Sequence, residues 1–258
     1  MLKWIFWYFV AAALLFKIAD KSICFADPRI FPFQVGERLD FKVYLGIVLG
    51  GDAHMSVTEI EKIDGQPCYK IVSEARSTPT VDMFYKVRDR IVSWRDIYGN
   101  FSRRYDKRLR EGNWKEDKRV DYQPEKGLAL LYKRTDDQEP DSMQLDGLVQ
   151  DVLSAFYYVR TKELEVGKSI WVDVHDINKR YDLEVQVLRK ETIEVPAGEF
   201  NCFVVEPLLM SSGLFRREGD MQIWLSDDEH KLPIMMRSKL YFGSVWAKLS
   251  GFRLGGEE

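Results

Sequence analysis

Short alternations of apolar and polar residues, separated by turn residues, run through most of the chain and restrict what it can fold into. In RLDFKVYLGIVLGG, residues 38–51, every second residue from Leu39 to Ile47 is apolar. Such alternation predicts strands with one buried face. Turn signals such as the Asp-Gly pair at 64–65 follow at short intervals. Because regular helices do not separate these strands, the pattern argues against a doubly wound α/β fold.

One segment has helical spacing instead. DGLVQDVLSAFYYVRTKEL begins with Asp146, a predicted N-cap, and carries apolar residues around much of its circumference. We expect this helix to be largely buried, lying across a sheet or closing its mouth. The sequence therefore predicts a mainly β fold, a curled antiparallel sheet, open β-barrel or β-roll of about 11–12 strands, with one main helix at about 146–163.

The N-terminus has the pattern of an export signal. Lys3 precedes the apolar run WIFWYFVAAALLF, which has the length of a signal-peptide core and is short for a membrane span. Small residues precede a cut after Ala26. We predict a signal peptide at residues 1–26 and a single β-rich periplasmic domain at 27–258, with no stable transmembrane anchor after cleavage. A retained anchor is the alternative.

The net charge of the chain limits the class of partner that it can bind. The chain carries a formal net charge of −3, and loss of residues 1–26 removes three lysines and one aspartate. The remaining acidic chain argues against a nucleic-acid partner, since phosphate binding requires a basic surface.

Two cysteines remain after the predicted cleavage, Cys68 and Cys202. In an exported protein such a pair forms either a disulfide or two buried thiols, and both alternatives stay open. Each cysteine begins a similar stretch, CYKIVSEA at 68–75 and CFVVEPLL at 202–209. The similarity reflects either an internal duplication or two strands that are alike by chance.

Several stretches together resemble a known family. They are FQVGERLDFKV, YKVRDRIVSWRD, QDVLSAFYYVR, VPAGEFNCFVVEP, MQIWLSDDEHKLPIMM and LYFGSVWAKL, in this order. The chain from about Phe33 to Leu249 resembles the bacterial exported-protein family catalogued as domain of unknown function 3108. The resemblance implies an envelope-associated protein with a curled β-sheet, and it supplies no catalytic residues.

A looser likeness concerns the fold alone. IWLSDDEHKLP, a tryptophan-bearing strand followed by an acidic turn and a proline, is similar to a stretch of the periplasmic lipoprotein carriers. Those proteins have a half-open barrel with a helical lid over an apolar cavity. Because one fold hosts many functions, the likeness implies no activity.

Catalytic signatures are absent from the sequence. It contains no Gly-x-Ser-x-Gly, no His-Glu-x-x-His and no Walker loop, and the three histidines, His54, His175 and His230, fall in different predicted elements. The acidic cluster at 227–230 lies between two predicted strands, which indicates a hairpin connection. We therefore expect no enzymatic activity, no metal and no cofactor.

Aromatic residues on the helix and the later strands are the candidates for a ligand cavity. A curled sheet of this many strands can enclose more space than its side chains fill, although a filled aromatic core is the alternative. The candidates for the cavity are Phe156, Tyr157, Tyr158, Trp171, Trp224 and Tyr241. The candidates for a polar rim are Asp151, Ser154 and Arg160, which could instead form an internal ion-pair or hydrogen-bond network.

A charged hairpin is the last candidate site. Residues 103–119 carry eight basic and four acidic residues. The segment is either a solvated hairpin whose charges discourage edge pairing or a docking surface for anionic envelope components. The docking candidates are Arg103, Arg104, Lys107 and Arg108.

These observations favour an exported, non-enzymatic protein that binds an apolar or amphipathic envelope component, such as a lipid or lipoprotein, or a partner protein. One alternative is a structural or scaffold protein with a filled core that acts through its surface. Another is a hydrolase of envelope polymers, which would require two carboxylates facing each other across a cleft.

Overall fold

The computed structural model describes residues 31–133, 139–209, 221–240 and 243–256. The predicted signal peptide, residues 1–26, and Tyr241 lie outside the described residues. Strands dominate the described part, which contains fourteen of them and two helices.

The elements follow one another along the chain with short connections. The helices are α1 (Pro79–Asp82) and α2 (Val152–Arg160), and a 3₁₀ turn covers Pro124–Lys126. The strands are β1 (Arg38–Leu45), β2 (Val48–Ile63), β3 (Gln66–Ser77), β4 (Arg88–Asp96), β5 (Ser102–Glu111), β6 (Trp114–Gln123), β7 (Leu128–Lys133), β8 (Asp141–Gln144), β9 (Ser169–Asp176), β10 (Lys179–Val195), β11 (Gly198–Leu209), β12 (Met221–Ser226), β13 (Pro233–Leu240) and β14 (Gly243–Arg253).

All fourteen strands belong to one antiparallel sheet. Its order is β8-β7-β6-β5-β4-β3-β2-β1-β14-β13-β12-β11-β10-β9, so β1 pairs with β14 and the free edges are β8 and β9. The predicted mainly β fold with a curled antiparallel sheet is confirmed. The strand number is higher than the predicted 11–12, partly because β8 forms within a polar stretch that resembles a connection.

The first predicted strand ends earlier than its alternation suggests. The chain reverses at Gly46, which has a φ of +61°, and β2 begins at Val48. Leu39 is fully buried as expected, whereas Leu45 is 46% exposed and Ile47 is 97% exposed. The prediction that Leu45 and Ile47 share the buried face was wrong, because Leu45 ends β1 at the margin of the sheet and Ile47 lies in the turn that follows.

The sheet curls until its two ends approach each other. Residues just before α2 lie in the gap, where Ser102 N–H donates to the Val149 carbonyl (3.0 Å) and His175 N–H donates to the Gln150 carbonyl (2.8 Å). Tyr122 Oη of β6 donates to the His175 carbonyl of β9 at 3.2 Å. The connection between the edge strands thus bridges the open side without closing the sheet into a barrel.

Helix α2 packs against both halves of the curled sheet. Leu153 and Tyr157 belong to the largest hydrophobic cluster, together with Leu39 and Leu249 from the middle of the sheet. The neighbouring residue Ala155 instead belongs to a cluster formed with β9 to β12. The helix therefore contacts two parts of the hydrophobic core. The groove described below lies beside the helix, on the side of the second cluster.

The two halves of the sheet repeat the same local arrangement. Trp94 Nε1 on β4 donates to Glu61 on β2 at 3.0 Å, and Trp224 Nε1 on β12 donates to Glu191 on β10 at 2.5 Å. The long hairpins β2–β3 and β10–β11 each have a bulge in the first strand. In each half the cysteine donates to the carbonyl two residues earlier. These matching contacts support an internal duplication over chance similarity.

Candidate functional site

Helix α2 begins five residues later than predicted. Asp151 is the N-cap, and its Oδ1 accepts a hydrogen bond from Ser154 N at 2.8 Å. The predicted start at Asp146 was wrong because the preceding residues are held in extended conformation. Gln150 N–H donates to the Asp173 carbonyl at 2.9 Å, so the chain at this point belongs to the bridge between the sheet edges.

Asp151 is the centre of a buried polar network. Its Oδ2 accepts hydrogen bonds from Ser93 Oγ at 2.5 Å and from Ser102 Oγ at 2.6 Å. Burial raises the pKa of Asp151 to about 6, against the effect of these donors. Ser154 is also fully buried and donates to Gln150 Oε1 at 2.5 Å. Asp151 and Ser154 are therefore not rim residues, since both lie inside the protein.

Arg160, at the end of α2, forms a buried ion pair. Its Nη1 and Nη2 donate to both carboxylate oxygens of Glu37, at 2.8 and 2.7 Å. Nε and Nη2 also donate to the His230 carbonyl, at 3.2 and 3.1 Å. The predicted rim position of Arg160 was wrong, because its guanidinium is fully buried and ties the helix to the chain before β1.

The three consecutive aromatic residues of α2 have different surroundings. Tyr157 is fully buried and packs edge-on against Phe33, with ring centroids 4.9 Å apart. Tyr158 is half-buried, and Lys162 Nζ lies 4.1 Å from its ring centroid. Phe156 alone of the three lines a groove. Tyr157 is therefore a core residue and does not line a cavity, in agreement with the alternative of a filled aromatic core.

An apolar groove runs between α2 and strands β10 to β12. It is partly open and has a volume of about 130 Å³. All twelve residues that line it are apolar or aromatic, and none carries a charge. They are Val152, Ala155, Phe156 and Val159 of α2, Tyr181, Leu183 and Val185 of β10, Val205 and Pro207 of β11, and Met221, Ile223 and Leu225 of β12. This arrangement can hold an apolar group and offers nothing to bind an ion.

The two predicted tryptophans lie away from this groove. Trp171 on β9 is 52% exposed. Trp224 is buried, and its ring centroid lies 6.3 Å from that of Trp246. Its indole N–H is bound by Glu191. Trp224 therefore faces the interior, but as part of the packed core and not as a groove residue.

The four basic docking candidates lie on β5 and are neutralised by carboxylates. Arg103 pairs with Asp96, Arg104 with Asp121, Lys107 with Glu116 and Asp176, and Arg108 with Asp117. Arg103 is only 7% exposed, so it cannot belong to a docking surface. Lys107 connects β5 to the end of β9 across the open side of the sheet, which is a structural role.

A wide cleft surrounds this ion pair. Its volume is about 1000 Å³, and it lies between the β5–β6 hairpin, strands β7 and β8, and the β9–β10 turn. Charges of both signs line it, including Lys115, Lys118 and Lys179 beside Asp117 and Asp141. Because the charges are mixed, the cleft has no strong preference for either sign of ligand.

Both cysteines are buried free thiols. Cys68 packs in a cluster with Val92 and Trp94, whereas Cys202 packs in the largest cluster beside α2. Burial raises the pKa of each thiol to about 12. The disulfide between Cys68 and Cys202 is not formed, because the two sulfurs belong to separate parts of the core.

The acidic cluster at 227–230 forms the connection between β12 and β13, as predicted. Asp228 Oδ1 accepts hydrogen bonds from the backbone N–H groups of His230 and Lys231, both at 2.9 Å. Pro233 begins β13. The cluster shapes the turn and presents the His230 carbonyl to Arg160, so its backbone matters more than its side chains.

Two charged residues that the sequence did not single out are almost completely buried, with 1% and 0% of their surface exposed. Glu37, the partner of Arg160, lies in FQVGERLDFKV, a stretch that marks the family but does not indicate a buried carboxylate. Arg95 is fully buried on β4 with its guanidinium 5.3 Å from the ring centroids of both Phe31 and Phe33. Arg95 stands between Trp94 and Asp96 in the sequence, and both faces of this end of β4 are buried, so periodicity alone could not identify it.

Within the described ranges, no three residues among His, Cys, Asp and Glu come together in a way that could hold a metal ion. No helix in that part of the chain is long and apolar enough to cross a membrane.

Comparison with known proteins shows the family. The model of a family described as protein of unknown function, DUF3108, matches residues 40–250, which confirms the resemblance found in the sequence. A comparison with curated protein sequences gave no match.

Solved structures show the fold. A β-barrel-like protein of the domain of unknown function DUF1849 from Brucella abortus is 13% identical, covers 87% of this chain and 99% of its own, and has a TM-score of 0.60. A candidate lipoprotein from Parabacteroides distasonis is 12% identical, covering 86% of this chain and 97% of its own, with a TM-score of 0.35. A candidate exported protein with a YmcC-like fold from Bacteroides fragilis is 13% identical, covering 86% and 98%, with a TM-score of 0.36. The first likeness shows a shared fold, and the other two are too distant to support an argument.

Proposed function

Because the chain belongs to the family of unknown function DUF3108, we propose its function from geometry: it binds an apolar chain of an amphipathic envelope component, without catalysis, in the groove beside α2. The observation that supports this proposal is the uniformly apolar lining of a partly open groove. Exposed apolar surface of this kind is unfavourable in water unless something covers it.

The size of the groove limits the ligand. A volume of about 130 Å³ is smaller than the roughly 300–1,000 Å³ of drug-sized ligand pockets. It is close to an engineered apolar cavity of about 150 Å³ that holds one benzene molecule. The groove therefore suits the end segment of one acyl chain, while the polar part of the ligand stays in solvent.

The N-terminal sequence supports an envelope location for this activity. The apolar run and the small residues before Ala26 have the pattern of a cleavable export signal. Intact-mass measurement of the protein purified from cells tests this part of the proposal. A mature chain that begins at Asp27 is expected, and a chain that retains residues 1–26 would contradict it.

A second candidate function uses the surface. The wide charged cleft near Lys107 is the observation that favours a scaffold protein over a carrier, because it offers a larger contact area than the groove. The hydrolase alternative is weaker, since Lys107 lies between Glu116 and Asp176 and neutralises the two facing carboxylates.

Binding of cis-parinaric acid, a fluorescent fatty acid, to the naturally processed protein tests the groove. We expect saturable binding that Ala155→Phe abolishes, since a phenyl ring at this buried position fills the space beside Phe156. The matched control is Ala75→Phe, which adds the same ring to β3 outside the groove and should leave binding unchanged.

Thermal unfolding of both variants separates blocked binding from a damaged fold. Equal loss of binding in both variants, or no binding by the wild-type protein, would overturn the proposal. Native mass spectrometry of the protein from cells adds an independent measurement, since a co-purifying lipid that is lost in Ala155→Phe is expected.

A further inference from the structure

Exposed apolar side chains are concentrated at one end of the sheet. They come from the β1–β2 turn, the segment after α1 and the β5–β6 turn. We call this set the apolar rim, and it consists of Leu45, Ile47, Val48, Leu49, Met83, Phe84, Tyr85 and Trp114. Phe84 is 86% exposed and Trp114 is 60% exposed. Scattered single exposures are ordinary in soluble proteins, but a contiguous group of this size indicates an interaction surface.

Backbone hydrogen bonds join the three segments into one continuous row. Thr78 N–H donates to the Gly50 carbonyl at 2.9 Å, which connects the segment before α1 to the β1–β2 hairpin. Gly112 N–H donates to the Lys86 carbonyl at 2.8 Å, which connects the segment after α1 to the β5–β6 turn. The Tyr85 ring lies directly over Gly112, where a Cβ atom would be only 2.8 Å from it. The apolar rim is therefore one surface of fixed geometry.

The shape of the apolar rim favours a fluid partner. Its most exposed residues, Ile47 and Phe84, project from turns at the ends of strands and do not line a groove. A protein partner requires a complementary surface for each projection, whereas the acyl region of a bilayer accommodates separate projections without one.

The charged residues around the apolar rim also favour a lipid bilayer as the partner. Lys86 and Lys115 are the chain neighbours of Tyr85 and Trp114, and Lys239 lies on the adjacent β13–β14 hairpin. None of the three lysines forms an ion pair with any residue that the structure describes. Aromatic side chains flanked by lysine are typical of segments that lie at a membrane interface, where lysine binds anionic headgroups.

Two of the carboxylates at this end form ion pairs. Asp52 pairs with Lys42 at 2.6 Å, and Asp82 pairs with Arg88 at 2.5 Å. Glu111 is partly buried, and burial together with the neighbouring Asp89 raises its pKa. Unlike Asp52 and Asp82, the three lysines have no ion-pair partner among the described residues, which leaves them able to bind anionic headgroups.

We propose that the apolar rim is a membrane-docking surface, which inserts its turn residues into the interfacial region of a lipid bilayer and places its lysines against anionic headgroups. This inference goes beyond the groove, because docking does not require the groove to be filled. The two features lie at the same end of the sheet, since Met221 begins β12 where the β13–β14 hairpin and the β1–β2 turn meet. A chain bound in the groove would thus be exchanged with the membrane over a short path.

Flotation of the naturally processed protein with lipid vesicles tests the docking surface. Vesicles of phosphatidylcholine alone are compared with an equal mixture of phosphatidylcholine and phosphatidylglycerol. We expect binding to both, stronger for the mixture, and a loss of about tenfold or more in Ile47→Asp/Phe84→Asp. Lys86→Glu/Lys115→Glu should weaken binding to the mixture alone.

A matched control exists at the other end of the sheet. Ile60 and Phe252 are also exposed, and Phe252 pairs with Leu39 at the start of β1, away from the apolar rim. Ile60→Asp/Phe252→Asp replaces the same two residue types and should retain vesicle binding. Thermal unfolding of both double variants verifies that each is folded.

Three outcomes would overturn the proposal. The first is no vesicle binding by the wild-type protein, and the second is an equal loss in both double variants. The third is that the wild-type protein does not bind vesicles but self-associates in sedimentation velocity experiments, and that Ile47→Asp/Phe84→Asp abolishes this self-association. The apolar rim would then be an interface between copies of the chain. Ala155→Phe should leave vesicle binding intact, so failure of the groove proposal and failure of the docking proposal are distinguishable.

Discussion

Arg160 and Glu37 are 123 positions apart in the chain, yet two parallel hydrogen bonds join their charged groups inside the sheet. Neither side chain has appreciable exposure to solvent. A bidentate pair of this kind fixes the end of α2 against the chain that leads into β1. The groove lies on another side of the same helix, which this ion pair holds in place.

Removal of either partner should destabilise the fold strongly. Glu37→Gln leaves the Arg160 guanidinium buried without its counter-charge, and we expect a loss of about 3–5 kcal/mol in the free energy of unfolding. Arg160→Met should cost a comparable amount, since the carboxylate is then left unpaired. Urea denaturation measures both, and the double variant Glu37→Leu/Arg160→Met should recover part of the loss.

An exposed ion pair supplies the control. Lys190 and Asp227 lie 2.6 Å apart with more than half of the lysine side chain in solvent. Lys190→Met should change stability by only about 0–1 kcal/mol. If the buried and exposed substitutions cost the same, the buried pair has no special role in holding α2.

Arg95 is the opposite case, a buried charge with incomplete bonding. Its Nη2 donates to Asn100, but Nε and Nη1 have no hydrogen-bond partner in the part of the chain that the structure describes. Burial lowers its pKa to about 9. We expect Arg95→Met to preserve the free energy of unfolding or raise it by about 1–2 kcal/mol, because the substitution removes an uncompensated desolvation cost.

Urea denaturation of Arg95→Met and Arg160→Met side by side tests this prediction, because the two substitutions should change the free energy of unfolding in different directions. Both substitutions remove a fully buried arginine next to Phe33. A loss above about 2 kcal/mol for Arg95→Met would show that its positive charge is required, with the buried carboxyl of Asp151 as the group it would serve.

The strand pattern was predictable because it depends on local information. Leu39 and Phe41 alternate with polar residues and are buried, and the Asp64-Gly65 pair makes the β2–β3 turn with positive φ at both residues. The family resemblance also follows from ordered stretches of sequence. These features need no knowledge of which strands are neighbours.

The site was less predictable because contacts between distant residues decide it. Asp146 was the predicted N-cap, but hydrogen bonds to β9 hold the chain extended past it, and Asp151 caps the helix instead. Helical spacing places Phe156 and Tyr157 about 100° apart, but it does not say which one faces the core. Ile47 was assigned to the buried face because alternation does not reveal where a strand ends.

The two thiols should behave as free and protected groups. Burial raises the pKa of Cys68 and Cys202 to about 12, so almost no thiolate is present at neutral pH. We expect iodoacetamide to leave both cysteines unmodified in the native protein and to alkylate both in urea without a reductant. Peptide mass spectrometry identifies each site, and a requirement for reduction before alkylation would demonstrate a disulfide instead.

His175 should make stability depend on pH. Burial, and to a smaller degree the nearby Arg180, lowers the pKa of His175 to about 4, whereas an unfolded histidine titrates near 6.5. Its imidazole is fully buried, with Nδ1 lying 3.3 Å from Tyr122 Oη and Nε2 without a hydrogen-bond partner among the described residues. Above pH 6.5 both states are neutral at this residue. As the pH falls toward 4, the unfolded state takes up the proton first, and the folded state loses stability relative to it.

The variant His175→Phe isolates this effect. Between pH 7 and pH 4, we expect the wild-type protein to lose on the order of 2–3 kcal/mol relative to His175→Phe, measured by urea denaturation at a series of pH values. Asp151 acts in the opposite direction over part of this range, because its raised pKa favours the folded state as the pH falls. Its contribution is common to both proteins and cancels in the difference. A free-energy difference between the two proteins that stays constant across this range would contradict the prediction. It would show that His175 accepts a proton in the folded state as easily as in water, despite its burial beside Tyr122 of β6.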